Sequence, residues 1–376
     1  GRIWLIAVGK AAWQMAAAAL EALPEPPRGG IVVTKHGHVQ GSLPGVTCYE
    51  AGHPVPDAAS FGATQAVLDL TAALQPEDTV LFLLSGGGSA LFEKPLIDPA
   101  ELQDITRQLL ASGADITELN TIRKRLSAVK AGRFAQWCAP AKVEAVVLSD
   151  ILSDPLDMIA SGPAAPDPTT ASQAQALVAK YGLQLSSAAH ACLARETAKS
   201  LDNVRTQVIG SVRELCRAAE TECRSLGYEP VLLTDELDCE AREAGRFLAA
   251  ILRSHAGEGR KLAFLAGGET VVRLTGQGLG GRNQELALGA AAGLAGLRRA
   301  AVISVGSDGT DGPTDAAGGY ADGDTLEELT ARGLVPHEVL TQNNAYYALR
   351  AVDGLIFTGP TGTNVNDIAV ALLQGS

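Results

Sequence analysis

Short apolar runs alternate with longer amphipathic segments along the first 150 residues of the chain. The apolar runs cover residues 3–8, 31–34, 47–50, 79–84 and 143–148, and the helical patterns between them cover residues 10–23, 58–74, 99–112 and 130–138. Strands that alternate with helices in this way form a parallel, doubly wound sheet whose faces are covered by the helices. The pattern therefore predicts an N-terminal α/β domain.

A second series of the same kind follows a segment rich in Pro, Asp and Ser at residues 149–170. Its strands are predicted at residues 208–209, 231–233, 262–265 and 302–305, and its helices at residues 212–226, 240–256 and 283–297. Because 376 residues exceed one ordinary core, two domains are the natural expectation. We predict a Rossmann-like, mostly parallel α/β domain over residues 1–200 and a second α/β domain over residues 201–376.

The composition of the chain argues against some classes of binding partner. The net charge of −12 argues against nucleic acid and anionic membrane surfaces. The apolar runs are far shorter than the ~20 residues that a membrane span requires. Six scattered cysteines form no CxxC pair, so they predict reduced thiols in a cytoplasmic protein. The strand pattern begins at residue 3, and we expect that an N-terminal segment normally precedes it.

Carboxylates follow two of the predicted strands, where ligands of α/β sheets bind. Asp308, Asp311 and Asp315 stand among glycines directly after residues 302–305, and Asp150 follows residues 143–148. Such carboxylates can hold a divalent cation, take a proton from a hydroxyl group or bind a polyol. A tight Asp/Gly turn without function is the alternative for the loop after residue 305.

A glycine-rich loop follows the apolar run at residues 79–84. It consists of Ser85, Gly86, Gly87, Gly88 and Ser89. Without Cβ atoms, several backbone N–H groups can approach one anion, so the loop predicts phosphate or carboxylate binding, with a flexible turn as the alternative. Lys10 follows the first strand and is interpreted either as a phosphoryl-binding lysine or as an ordinary solvated one.

Two further basic segments allow more than one interpretation. Residues 276–281 have GxGxxG spacing before a helix, which would be a dinucleotide fingerprint with Asp308 as the ribose acid. However, Asp308 lies 27 residues beyond Gly281, where about 20 is usual. Arg282 opens that helix and could bind phosphate bidentately.

Arg123 and Arg125 would point to different faces of a helix, so a solvated face is expected for at least one of them.

Taken together, these loops are similar to those of the glycerate 2-kinase family, whose C-terminal half is called the MOFRL domain. The matching segments are GKAA (9–12), LSGGGSALFEKP (84–95), LNTIRKRLSAVKAGR (119–133), SDILSDPLDMIASGP (149–163), GGET (267–270), GGRNQE (280–285), GSDGTDGPTDAAG (306–318) and PTGTNVND (360–367). They span nearly the whole chain in the expected order.

The resemblance implies a kinase that uses ATP and Mg²⁺ to phosphorylate the 2-hydroxyl of D-glycerate, with its active site in the cleft between the two domains. It places the catalytic residues at Lys10, Arg282, Asp150 and Asp308. We expect Lys10 and Arg282 to contact the phosphoryl group and the glycerate carboxylate. Asp308 would orient or deprotonate the hydroxyl, and Asp150 would bind the metal or the same hydroxyl.

The remaining candidate residues would cradle the substrate carboxylate or the phosphates. Besides the loop at residues 85–89, they are Gly267, Gly268, Glu269, Thr270, Asn283 and Asp311. The expected partners are glycerate and a nucleotide, and a homodimer is one assembly that the sequence allows. Two alternatives stay open: an NAD(P)-dependent hydroxypyruvate reductase, and a sugar-acid binding protein without catalytic activity.

Overall fold

The structure is a computed structural model that describes residues 1–149, 153 and 155–375. The chain folds into two compact units, each with its own sheet. Unit 1 comprises Gly1–Leu148 and Asp154–Ile209, and unit 2 comprises Ser149–Ser153 and Gly210–Ser376. No helix within the described residues is long and apolar enough to cross a membrane.

Unit 1 follows the predicted alternation of strands and helices. Its elements are β1 (Ile3–Val8), α1 (Ala12–Ala22), β2 (Gly29–Lys35), β3 (Val46–Ala51), α2 (Ala58–Leu70), β4 (Thr79–Leu84), α3 (Gly88–Leu91), α4 (Pro99–Ala111), α5 (Ile116–Arg125), α6 (Arg133–Cys138), β5 (Lys142–Leu148), a 3₁₀ turn (Ile159–Ser161), α7 (Ala171–Tyr181), α8 (Ser187–Leu193) and β6 (Val204–Gly210). The strand order in its sheet is β3-β2-β1-β4-β5-β6.

The sheet of unit 1 is parallel in the four pairings that join β3, β2, β1, β4 and β5. Its central strands are almost wholly buried, as expected for strands with helices on both faces. This confirms the predicted Rossmann-like, doubly wound architecture. The strand at the end of the series corrects the prediction, because β6 pairs with β5 in this sheet, whereas residues 208–209 were predicted to open the second series.

Unit 2 is a second α/β layer structure. Its elements are α9 (Val212–Ser225), β7 (Glu229–Leu237), α10 (Ala241–His255), β8 (Leu262–Gly268), α11 (Arg282–Leu294), β9 (Ala300–Gly306), β10 (Gly318–Asp322), α12 (Thr325–Ala331), α13 (Pro336–Thr341), α14 (Ala345–Ala351), β11 (Leu355–Ile356) and β12 (Asp367–Leu373). The strand order is β11-β10-β9-β12-β8-β7, and among the described strands of this sheet β7 and β8 are the pair that runs parallel.

The centre of the second sheet is antiparallel. The C-terminal strand β12 inserts between β8 and β9 and runs antiparallel to both. As a result, the start of β12 at Asp367 lies opposite Gly268 at the end of β8 and Gly306 at the end of β9. This insertion, which the sequence analysis did not predict, brings residues from three distant segments to one edge of the sheet.

Candidate active site

In unit 1, the glycine-rich loop and the loop after β1 lie side by side. Strands β1 and β4 pair in parallel with Val8 opposite Leu84, so the loops that follow them leave the same edge of the sheet. The backbone N–H of Lys10 donates to the carbonyl of Gly86 at 2.8 Å, and the N–H of Ala11 donates to the Oγ of Ser85 at 3.1 Å. The two predicted loops therefore form one structure.

Lys10 and His53 flank the middle of this loop. Gly87 has a left-handed backbone with φ of +87°, and a Cβ placed on it would lie 3.0 Å from His53 Cδ2 and 3.1 Å from Lys10 Cγ. Only glycine combines this φ with such close neighbours. Helix α1 begins at Ala12, so Lys10 lies in the preceding turn and not at the head of the helix as predicted. No sequence signal had indicated His53.

The far end of the loop is held by buried polar groups. The hydroxyls of Ser89 and Ser161 share a hydrogen bond of 2.9 Å, and Lys130 donates to the Ser89 carbonyl at 2.6 Å and to Glu93 at 2.5 Å. Lys130 and Glu93 are both fully buried. Burial lowers the pKa of Lys130, and the negative charge of Glu93 opposes that shift. Phe92, which follows α3, packs against Phe82 of β4 and Phe134 of α6, with ring centroids 4.7–5.9 Å apart.

In unit 2, two carboxylates, Asp367 and Glu269, accept hydrogen bonds from Arg282. Its Nε and Nη2 donate to the carboxylate of Asp367 at 2.5 and 3.2 Å, and its Nη1 donates to Glu269 at 2.6 Å. Asn366 donates to the other oxygen of Glu269 at 3.1 Å. Burial disfavours the charged guanidinium, but the hydrogen bond to Asp367 and the charges of both carboxylates outweigh it and raise the pKa of Arg282. These three hydrogen bonds leave two of the five guanidinium N–H groups for a ligand.

The N-terminus of α11 is occupied by a carboxylate of the chain itself. Asp311 accepts from the backbone N–H of Asn283 at 3.1 Å and from that of Gln284 at 2.9 Å. A Cβ on Gly281 would lie 2.2 Å from the Asp311 carboxyl carbon, so glycine is required for this approach. Burial raises the pKa of Asp311 to about 6, against the opposing effect of its hydrogen bonds. The position that a phosphate takes at a helix N-terminus is therefore filled.

The other glycines of the GxGxxG segment pack against protein backbone. A Cβ on Gly276 would lie 2.4 Å from Gln342, and one on Gly278 would lie 2.5 Å from the Gln342 carbonyl oxygen. Asn343 holds the same segment in place through two hydrogen bonds. Its Oδ1 accepts from the N–H groups of Thr275 and Gly276 at 2.7 and 2.8 Å. This spacing is explained by contact between two loops and is not a dinucleotide fingerprint.

A groove of about 960 Å³ opens beside these residues in unit 2. Asp308 lies in its wall, and its Oδ1 accepts from the backbone N–H and the hydroxyl of Thr310 at 2.9 and 3.1 Å. Arg282 and the buried Glu285 also line it. Burial raises the pKa of Glu285. The groove thus combines a cation, a carboxylate with one oxygen already fixed, and a neighbouring helix N-terminus.

The structure brings most of the predicted residues into two groups. In unit 1, Lys10 lies beside the loop at residues 85–89. In unit 2, the group consists of Gly267, Gly268, Glu269, Thr270, Arg282, Asn283, Asp308 and Asp311. Asp150 lies outside the described residues. Within the described part of the chain, no group of three or more His, Cys, Asp or Glu side chains could hold a metal ion. The roles of these residues in binding and catalysis stay predictions.

Sequence reasoning missed the two side chains that organise unit 2. Asp367 lies 85 residues from its partner Arg282, and Asn343 lies 67 residues from Gly276. Asp367 ends the segment PTGTNVND, which carried part of the family resemblance, so its position in a matching motif was the available signal. Asn343 lies in none of the matching segments, and nothing in the sequence marked it.

Two family models match the chain. Residues 1–194 match a family described as a domain of unknown function (DUF4147), and residues 262–367 match the MOFRL family. Among individual proteins, a D-glycerate 2-kinase of Thermotoga maritima is 51% identical over 99% of this chain and 91% of its own length. A glycerate 2-kinase of Pyrococcus horikoshii is 39% identical over 99% of this chain and 88% of its own length.

Solved structures are similar over the same extent. The crystal structure of a glycerate kinase from Thermotoga maritima has a TM-score of 0.96 at 50% identity and covers 99% of this chain and 91% of that one. A Pyrococcus horikoshii protein of known structure has a TM-score of 0.93 at 39% identity, covering 100% of this chain and 89% of that one. A protein of Agrobacterium vitis named as a putative hydroxypyruvate reductase is also 39% identical, over 99% of this chain and 87% of its own length.

Proposed function

This chain belongs to the glycerate 2-kinase family, and we propose that it transfers the γ-phosphoryl group of ATP to the 2-hydroxyl of D-glycerate, giving 2-phosphoglycerate and ADP. The observation that carries the proposal is the 51% identity to a D-glycerate 2-kinase over 99% of the chain. The reaction is a phosphotransfer to an alcohol. It depends on positioning and charge neutralisation, because phosphoryl transfer involves little covalent chemistry with the protein.

Arg282 is suited to stabilise the charge that develops on the transferred phosphoryl group. Asp367 holds the guanidinium by two hydrogen bonds along one side, so its plane is set before a ligand arrives. The pKa of Arg282 is raised, and the charge therefore persists at every physiological pH. A donor that is oriented in advance costs no reorganisation during the reaction, which is the main source of electrostatic catalysis.

Lys10 and the glycine-rich loop would bind a second anionic group. The loop offers backbone N–H groups, and the adjacent Lys10 side chain adds a positive charge beside Gly87. The Lys10 backbone is fixed to Gly86, so the side chain starts from a rigid point. We assign this structure to the glycerate carboxylate or to a phosphate of the nucleotide.

Asp308 is our candidate for orienting or deprotonating the 2-hydroxyl. One of its oxygens is fixed by Thr310, and the other accepts no hydrogen bond from any described residue. A carboxylate with one free oxygen can accept a proton from a substrate hydroxyl. It stands at the end of β9, whose ladder with β12 holds the backbone in place.

Phosphoryl transfer from ATP would also use a magnesium ion that arrives with the nucleotide. Mg²⁺ commonly takes only one or two protein carboxylates and completes its shell with water and substrate phosphates. Asp150, our candidate for such a carboxylate, lies outside the described residues. When bound, the ion would neutralise charge between the terminal phosphates.

A hydroxypyruvate reductase is the second candidate, because relatives in Agrobacterium vitis carry that name. Such an enzyme would bind NAD(P), and the one segment that resembles a dinucleotide fingerprint is unsuited to this task. Asp311 occupies the helix N-terminus that the pyrophosphate would need, and Gly276 and Gly278 face protein backbone. These observations favour the kinase.

The deciding experiment is a coupled ADP-release assay with D-glycerate, hydroxypyruvate and tartronate as acceptors, followed by phosphorus NMR of the product. We expect ADP release with glycerate and a phosphomonoester on carbon 2. Fluorescence enhancement of NADH on mixing with the protein, without ADP release, would support the reductase. Binding of glycerate without either signal would support a binding protein.

The expected setting of the enzyme is the cytoplasm, where ATP is available. All six cysteines are free, which is consistent with a reducing compartment. The homodimer expected from the sequence stays a prediction.

A further inference from the structure

We infer that Arg123 and Ser89 form a subsite in unit 1 that binds the carboxylate of the acceptor substrate. The inference rests on the proposed function and names the part of the substrate that unit 1 recognises. It starts from a cation that the fold leaves without an acidic partner among the described residues.

Arg123 differs from the other basic residues of its helix. Its neighbours Lys124 and Arg125 are buried, and both are neutralised: Lys124 donates to Asp157 at 2.8 Å, and Arg125 lies 3.4 Å from Asp167. In contrast, the buried Nε of Arg123 has no hydrogen-bond acceptor in the part of the chain that the structure describes. An unpaired buried donor costs free energy, so the described residues do not fully satisfy this cation, and the Arg123 side chain is partly exposed and open to an anion.

A chain of hydrogen bonds connects the helix face that carries Arg123 to Ser89 of the glycine-rich loop. Arg123 and Asn120 are three residues apart on α5 and so share one face of the helix. The side chain of Asn120 accepts from the Ser161 hydroxyl at 3.3 Å, and that hydroxyl meets the Ser89 hydroxyl at 2.9 Å. The charge of Arg123 also acts on Lys130, which donates to the Ser89 carbonyl.

The accessible members of this cluster are the ones that a ligand would touch. Asn120 and Ser161 are buried, whereas Arg123 and Ser89 are partly exposed. We therefore assign contact to the Arg123 guanidinium and the Ser89 hydroxyl, with Asn120 and Ser161 as positioning residues. The backbone supports this arrangement, since Ser161 holds a left-handed φ of 61° that a non-glycine residue seldom adopts.

Charge and geometry both point to a carboxylate. Lys130, Lys124 and Arg125 each have a carboxylate partner, and Arg133 donates to the backbone carbonyls of Lys124 and Ser127. Arg123 has no acidic partner among the described residues, so its charge is available to an anion. The planar guanidinium matches the two oxygens of a carboxylate, and a serine hydroxyl can donate to either oxygen. Glycerate, a 2-hydroxy monocarboxylate, has this chemistry.

The test is the Arg123→Gln variant, compared with Arg107→Gln, which removes an exposed arginine of α4. We expect the KM for D-glycerate to rise by about tenfold or more, the effect of losing a charge-assisted pair of hydrogen bonds. The KM for ATP should stay unchanged, and kcat should change less than the KM for glycerate. Arg123→Lys should recover part of the affinity, because it keeps the charge without the planar fork.

Calorimetric titration with glycolate, a small 2-hydroxy carboxylate, gives a readout that does not depend on turnover. Wild type and Arg107→Gln should bind glycolate with the same affinity, and Arg123→Gln should bind it about tenfold or more weakly. Equal glycolate binding by all three proteins would overturn the inference, as would a rise in the KM for ATP alone, which would assign Arg123 to a phosphate. If wild type releases no ADP with glycerate but binds glycolate through Arg123, the proposed function fails and the carboxylate subsite stands.

Discussion

At the scale of single residues, Arg282 shows how much the planar shape of a side chain can matter. Its replacement by lysine keeps the charge but cannot pair with Asp367 through two parallel hydrogen bonds. For Arg282→Lys we expect turnover to fall by at least ~tenfold, on the order of 1.4 kcal/mol in the barrier. Steady-state kinetics would measure this, with Arg332→Lys, at the residue that follows α12, as the matched surface control. Wild-type kinetics in Arg282→Lys would remove this residue from the site.

Asp311 predicts a pH dependence of stability. Its pKa is about 6 in the folded protein and near 3.8 when unfolded, so the folded state binds more protons between these values. Stability from this group is therefore present below about pH 4 and is lost as the pH rises to about 6, by at most ~3 kcal/mol.

The Asp311→Asn variant isolates this effect because asparagine does not titrate. The unfolding free energy of wild type relative to Asp311→Asn should decrease as the pH rises from about 4 to about 6, and chemical denaturation at several pH values would measure it. A difference that stays constant with pH, or that increases, would show that the Asp311 carboxyl is not held in a desolvated position.

At the scale of elements, the glycine-rich loop depends on its backbone conformation and on its neighbours together. Gly87→Val adds a branched side chain at φ of +87°, against His53 and Lys10. We expect activity to fall by at least ~tenfold with a moderate decrease in the melting temperature, as measured by turnover and circular dichroism.

Gly113 provides a matched control for the backbone strain. It follows α4 with φ of +75°, and nothing lies within 4 Å of the place where its Cβ would be. Gly113→Val should lower the melting temperature in a similar way and keep full activity. Equal activity in the two variants would show that the loop at residues 85–89 is only a turn.

A helix or strand can be predicted from the sequence when its own residues determine it, and less well when it depends on pairing with distant segments. The strands of unit 1 are buried on both faces, and their continuous apolar runs identify them directly. In contrast, β10 contains two glycines and does not stand out before its pairing with β9 is known. The apolar run of β12 is visible in the sequence, but its insertion between β8 and β9 depends on the whole sheet. The strand β6 alternates between partly exposed and exposed positions and carries no signal that assigns it to one sheet.

The site shows the same division. Lys10, Ser85 and Asp308 could be proposed from the sequence because each closely follows a buried strand, and the structure places them at the ends of those strands. The carboxylate that orients Arg282 could not be found in this way. Its position depends on the insertion of β12 beside β8 and β9, which is a property of the whole sheet.

At the scale of the whole molecule, a ligand that binds the folded protein should increase its free energy of unfolding. A ligand that binds only the folded state at a hundred times its Kd adds about 2.7 kcal/mol to the free energy of unfolding. Because the proposed carboxylate subsite lies in unit 1, D-glycerate should raise the melting temperature of wild type more than that of Arg123→Gln at the same concentration. Differential scanning calorimetry would test this, and an equal shift in both proteins would contradict it.

Asp311 has a wider consequence, because the protein carries its own counter-ion at the start of α11. Free phosphate or sulfate in the surrounding solution would have to displace a tethered carboxylate from that position, and a tethered group competes at a very high local concentration. Anions in solution therefore bind poorly at the N-terminus of α11. The dipole of α11 therefore stabilises a contact within the protein, between the helix N-terminus and Asp311.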